Sequence, residues 1–198
     1  MSIDPMDGSP PSGYGSQMQF DPRAKRSPFP VLAGPDGHPF HPMAVTVPIG
    51  AWVSSLVFDI GAQIDGSRAS TWSDGARWLI AIGIIGALVA ALLGLLDLVI
   101  IPPHTPAQRT ALTHAALNAV VIIGFVVDYL WRGSAPSATH IGPIVLTAVC
   151  LALLGVSGSL GGRLAYRYGI RVEDEETQAV GFRGAATPGD RATGEGRT

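Results

Sequence analysis

Trp78-Leu-Ile-Ala-Ile-Gly-Ile-Ile-Gly-Ala-Leu-Val-Ala-Ala-Leu-Leu-Gly-Leu-Leu-Asp97-Leu-Val-Ile-Ile101 is a run of 24 residues with one charge, Asp97, four residues from its end. At ~1.5 Å per residue a helix of this length reaches about 36 Å, enough to cross a hydrocarbon core about 30 Å thick. The run lacks the apolar–polar alternation of a barrel strand. In lipid a backbone must also satisfy its own polar groups, so the run reads as a membrane-spanning helix. Three more runs share this character: Met43–Ile64, Ala111–Trp131 and Ile141–Leu160, of 22, 21 and 20 residues. A soluble bundle needs a polar face along each helix, and none of these has one.

Composition points the same way. Of 198 residues, 47 % are hydrophobic and 14 % charged, against about 25 % charged in an ordinary soluble domain. Mean hydropathy is +0.32. A net charge of -2 excludes recognition of nucleic acid through a basic surface. A single cysteine excludes a disulfide framework and any multi-cysteine zinc or iron–sulfur site.

The connections 65–77, 102–110 and 132–140 are short, so neighbouring spans run antiparallel. The expected fold is an all-α, up-down-up-down four-helix transmembrane bundle over residues 41–172. Residues 1–40, with eight prolines and five glycines, read as a flexible tail without the apolar core of a secretory signal. Residues 173–198, opening on Glu173-Asp174-Glu175-Glu176, read as a second one. Trp52, Trp72, Trp78, Tyr129 and Trp131 fall mostly near span ends, where amphipathic rings settle. Arg23, Lys25, Arg26, Arg109, Arg163, Arg167 and Arg171 flank one side of the spans, and Arg68, Arg77 and Arg132 the other. That imbalance predicts an inner-membrane protein with both termini in the cytoplasm.

Lipid tails are as apolar as leucine, so spans associate through small residues and polar contacts. The second run offers the ridges Gly83/Ala87/Ala91 and Gly86/Ala90/Gly94, and the fourth offers Gly155/Ser159 and Gly158/Gly162. Pro48 removes one helical hydrogen bond and frees the carbonyl of Ala44. The first helix therefore starts at Pro48, or starts near Pro42 and bends. The fourth is expected to end near Leu160, loosened by Gly158, Gly161 and Gly162, with Arg163, Tyr166, Arg167 and Tyr168 then at the interface as headgroup anchors or as a lid folded back over His41, Asp97 and His114.

Ionisable groups in spans are costly and mark candidate sites. They form two layers. At the expected cytoplasmic end are His41, Asp97 and His114, with Asn118 one turn beyond His114 and His104 in the loop. Asp97 and His114 lie at depths of ~6 and ~4.5 Å, close enough to meet. At the other end are Asp59, Asp128 and, in the following loop, His140. Asp128 stands four residues before Arg132, a helical salt-bridge spacing. Asp59 has Arg68 or Arg77 as its expected partner.

Neutral imidazoles on different helices at one depth can ligate a b-type haem iron or a transition metal. His41 and His114, joined by His104 for a metal, are the candidate ligands. Asp97 would be the acceptor that fixes an imidazole tautomer, and Asn118 would line the site. Two other readings stand beside this one. In one, the same residues only join helices in a scaffold or accessory subunit; in the other, Asp59, Asp97 and Asp128 relay protons or ions. The chain has no hydrolase nucleophile motif, phosphate loop or metalloprotease helix, so an enzyme acting on its own is not expected.

Two stretches carry a family resemblance. One is His41-Pro-Met-Ala-Val-Thr-Val-Pro48-Ile-Gly50, followed by Ser54-Ser55-Leu56 and Asp59. The other is Ser157-Gly-Ser-Leu-Gly161-Gly162-Arg-Leu-Ala-Tyr166-Arg-Tyr168-Gly169-Ile-Arg171-Val172. With Gly94-Leu-Leu-Asp97 and His114 between them, residues 40–172 resemble the bacterial integral membrane family known as domain of unknown function 2231. The resemblance implies four spans and singles out His41, Asp59, Asp97 and His114. Some actinobacterial members are joined to a Rieske-type iron–sulfur domain, which implies membrane redox chemistry. This chain lacks the cysteines for such a cluster, so a redox role here would need haem, a quinone or a partner subunit. The expected partners are the lipid bilayer and either a membrane redox protein or a second copy of the chain, with no nucleic acid. Abundant Gly and Ala, with twelve arginines to one lysine, suit a high-GC bacterial genome.

Overall fold

A computed structural model describes residues 40–134 and 141–172, together with Gln178, Ala179 and Phe182. The two expected tails lie outside the described residues almost entirely, as does His140. The chain forms α1 (Phe40–Ala44), α2 (Thr46–Ile64), a 3-10 turn (Gly66–Arg68), α3 (Ala69–Val99), α4 (Pro106–Ser134) and α5 (Ile141–Tyr166). Among the described residues, with α1 and α2 taken as one span, four helices are long and apolar enough to cross a membrane. The fold is the expected all-α four-helix bundle.

Pro48 explains the seam between α1 and α2. Without an amide hydrogen it leaves the carbonyl of Ala44 unused, and the helix is interrupted at Val45 although φ and ψ there stay helical, at -67° and -16°. Val45 N–H still donates to His41 O at 3.1 Å, and Ile49 N–H to Val45 O at 3.2 Å. The first span thus begins at Phe40 and carries His41 in its first turn. Pro48 is buried because Gly86 makes room: a Cβ there would lie 2.8 Å from Val47 and 3.1 Å from Pro48.

Three expected boundaries move outward. Residues 65–77 are not a loop, because α3 starts at Ala69, where Trp72 packs on Phe58 at 5.2 Å. At 31 residues α3 extends about 46 Å, longer than a hydrocarbon core. The helix α4 starts at Pro106, whose fixed φ suits a first helical position. Thr105 caps it, its Oγ1 accepting from Gln108 N–H at 3.1 Å, while Gln108 Oε1 accepts from His104 N–H at 2.7 Å. The fourth span runs unbroken through Gly158, Gly161 and Gly162 to Tyr166, since packing against α4 supports glycine that propensity alone would disfavour.

The chain folds as two hairpins, α2 against α3 and α4 against α5. They join mainly along α3 and α4, which leaves α2 and α4 on a diagonal. At mid-height Trp52 stacks on Phe125, with centroids 4.0 Å apart and rings 9° from parallel. Trp52 Nε1–H donates to Ile80 O at 3.3 Å. Gly83 is required beneath that indole, because a Cβ there would collide with it. The ridges on α3 pack as expected in part: Gly83, Ala87 and Ala90 are buried, and Ala91 is exposed. Those on α5 do not. Gly155 and Gly158 face open space, and the helix buries Pro143, Thr147, Cys150 and Ser157 instead.

The hairpins are copies of one design. Between α1/α2 and α4, at a constant offset of 73 residues, buried Pro48, Trp52 and Ser55 answer to buried Val121, Phe125 and Asp128. Half-buried His41 answers to half-buried His114. Between α3 and α5 the offset is 67, and Ala76, Ile80, Gly83 and Ala90 answer to Pro143, Thr147, Cys150 and Ser157, all buried. Contacts repeat too. A Cβ on Gly75 would lie 2.5 Å from Phe58, and one on its counterpart Gly142 would lie 2.7 Å from Trp131. Counterparts also meet one another: Trp52 meets Phe125, His41 meets His114, and Asp59 meets Arg132. A residue touches its own counterpart on a two-fold axis, so a pseudo-two-fold axis runs between α2 and α4 along the bundle.

Candidate functional site

The polar layer nearest the start of α1 is built twice over. His41 Nδ1 lies 2.8 Å from Ala90 O, and His114 Nδ1 lies 2.8 Å from Ser157 O. A carbonyl only accepts, so Nδ1 carries the hydrogen in both rings and Nε2 keeps its lone pair. Each acceptor stands one turn before a glycine that admits the ring. A Cβ on Gly94 would sit 3.0 Å from His41, and one on Gly161 would sit 3.2 Å from His114. The ring centroids are 6.4 Å apart and the planes stand at 89°.

Asn118 belongs to this layer. Its Nδ2 donates to His114 O at 2.9 Å and to His114 Nε2 at 3.1 Å. Ser157, which sequence reasoning missed, lies with Oγ 3.0 Å from His114 Nδ1 and donates to His114 O at 3.3 Å. The i, i+4 spacing of His114 and Asn118 was legible in the chain. Ser157 opens a stretch that carries the family resemblance, but its place in this layer follows from the packing of α5 on α4.

Asp97 does not meet His114, and the role of tautomer-fixing acceptor passes to the two helix carbonyls. The reason is Arg171. Beyond α5, Gly169 takes φ 66° and turns the chain back, with Ile170 N–H donating to Leu164 O at 3.0 Å. Arg171 then donates to Asp97 Oδ1 through Nε at 2.8 Å and Nη2 at 2.5 Å. His104 also stands apart, exposed in the loop between α3 and α4 at φ 64°. Among the described residues no group of three His, Cys, Asp or Glu side chains is arranged to hold a metal ion, so the three-histidine set is not formed.

The second polar layer lies 18 residues along the first span from His41, about 27 Å away. Arg132 donates from Nη1 to Asp59 Oδ1 at 2.6 Å and from Nη2 to Asp59 Oδ2 at 2.8 Å. It also donates from Nε to Asp128 Oδ1 at 3.1 Å, the expected i, i+4 pair. Thr147 Oγ1 donates to Asp128 Oδ2 at 2.8 Å. Asp59, expected on Arg68 or Arg77, pairs with Arg132 because its side chain faces the bundle axis. Arg68 pairs instead with Asp65 beyond the end of α2, and Arg77 lies over Tyr129. The Trp52–Phe125 stack separates the two polar layers.

No curated protein and no solved structure matches the chain. The family described as Predicted membrane protein (DUF2231) matches residues 37–174, a stretch that holds both polar layers and the segment that returns to Asp97, and the chain belongs to that family.

Proposed function

We propose that the protein is a redox-associated membrane subunit in which His41 and His114 would hold a b-type haem. The observation that carries this is the paired histidine geometry. Each Nδ1–H is held by a helix carbonyl, the arrangement that orients ligating imidazoles and puts the lone pair on Nε2. The ring centroids lie 6.4 Å apart with planes at 89°, which puts one metal ~2 Å from each nitrogen within reach when both Nε2 atoms face it. Two protein ligands suit haem, whose macrocycle supplies the other four nitrogens, better than a bare ion, which wants three or four side chains. Haem bound here would supply one-electron chemistry. The chain's own part is to hold both rings in one tautomer, with Gly94 and Gly161 leaving room for them.

The reading places the histidine layer near the cytoplasmic face, on the charge balance of the flanking residues. It favours electron exchange over ion passage, because an apolar aromatic stack divides the polar layers. A second reading has an observation of its own. Asn118 already satisfies His114 Nε2, as it would if the layer only pinned helices together in an accessory subunit.

The test is an absorption spectrum and metal analysis of detergent-purified protein expressed with ample haem and metals. Wild type is compared with His41→Ala and His114→Ala, each checked for helix content. A stoichiometric Soret band lost in both variants is the expected result. Colourless, metal-free wild type would leave the pinning role, and a bound ion without haem would overturn the haem assignment.

A further inference from the structure

We infer that residues 167–172 form a latch that closes the histidine layer at its membrane-surface end, with the Asp97–Arg171 ion pair as its catch. The segment is not a simple continuation of α5. It reverses at Gly169, and Arg171 takes φ 60°, a left-handed backbone that a residue with a side chain adopts only when its surroundings enforce it. Two contacts enforce it. One is the ion pair, with Arg171 8 % and Asp97 17 % exposed. The other is an apolar seat in which Ile170 packs with Ile101 and Ala111, flanked by Leu98, Leu164 and Tyr168.

That seat is the next layer out from the histidines. Leu98 is one turn from Gly94, which admits His41. Ala111 is one turn before His114, and Leu164 lies one turn beyond Gly161, which admits His114. On this inference, what reaches the imidazoles from the side of α3, α4 and α5, whether water, a proton or a ligand, passes the seat. The latch breaks the bundle's pseudo-symmetry, because the chain beyond α3 leads on to α4 whereas the chain beyond α5 is free to fold back. Arg163, Arg167 and Tyr166 stay exposed beside it, at the position where cationic and aromatic side chains meet headgroups.

The inference rests on the histidine layer being a ligand site only for what the latch admits. Closure itself is measured without any ligand. Full-length protein in detergent is treated with diethyl pyrocarbonate, and modification of His41, His114 and His104 is followed by peptide mass spectrometry. Exposed His104 is the internal reference. In Arg171→Ala and Asp97→Asn, His41 and His114 are expected to react at least fivefold faster relative to His104 than in wild type. The exchanged pair Asp97→Arg with Arg171→Asp is expected to recover part of the protection. Asp97→Asn keeps the side chain's shape and gives the same reading should Arg171→Ala fail to accumulate. Unchanged relative rates in a variant that retains wild-type helix content overturn the latch. A colourless protein with these accelerated rates would keep the latch and remove only the haem assignment.

Discussion

At the scale of single residues, the decisive groups are charges in places where water is scarce. Arg132 is 10 % exposed and holds Asp59 and Asp128, at 3 % and 0 %. Removing one partner of a buried pair leaves the other uncompensated, at a cost of about 3–5 kcal/mol. Arg132→Ala, which strands two carboxylates, should sit at the upper end of that range, measured by thermal or denaturant unfolding in detergent. Asp128→Asn should be milder, because Arg132 keeps both of its bonds to Asp59. Glycines divide in the same way. Gly83→Ala forces a methyl group into the Trp52 indole, and overpacking of that kind costs about 1–3 kcal/mol. Gly155 meets nothing within 4 Å, so Gly155→Ala should leave stability unchanged or raise it by roughly 0.5–1 kcal/mol through helix propensity. The same unfolding assay separates the two.

At the scale of elements, the local chemistry of each helix start is readable and testable. Thr105 caps α4 with its hydroxyl and Gln108 reaches back, so Thr105→Ala should cost about 1 kcal/mol. Amide hydrogen exchange should then quicken in the first turn of α4 and not in its middle. The spans themselves were legible because membrane helices announce themselves by length and unbroken hydrophobicity. Their ends were not. The stretch Ala69–Arg77 carries Ser, Thr, Asp and Arg and reads as a loop, yet it is helical because Trp72 and Gly75 find Phe58 and Gly61 of α2 to pack on. The end of α5 misled for the converse reason. Its glycines suggest a weak helix, but Gly161 is there to admit His114.

At the scale of the whole molecule, the layers of polar residues could be placed from the sequence, and their partners could not. His41, His114, Asp59 and Asp128 stand out because each is expensive in lipid. Pairing Asp59 with Arg132, or Asp97 with Arg171, requires contacts between residues 73 and 74 positions apart, and no local spacing encodes them. The repeat of the hairpins lies hidden for a related reason: it survives in which positions are buried more than in which residues occupy them. Trp52 and Phe125 fill the same place with different rings, and Ile80 and Thr147 do so with different chemistry.

That repeat has a consequence for direction. A unit of two crossings returns the chain to the side it started from, so joining two in tandem gives parallel copies related about the membrane normal. Inverted copies, as in many transporters, need an odd number of crossings per unit. Inverted copies can offer equivalent halves to opposite faces in turn, whereas parallel copies place both histidines at one face and the Arg132 cluster at the other. Such a molecule is polar across the bilayer by construction. On the function proposed above, exchange at the histidine layer would involve one compartment only.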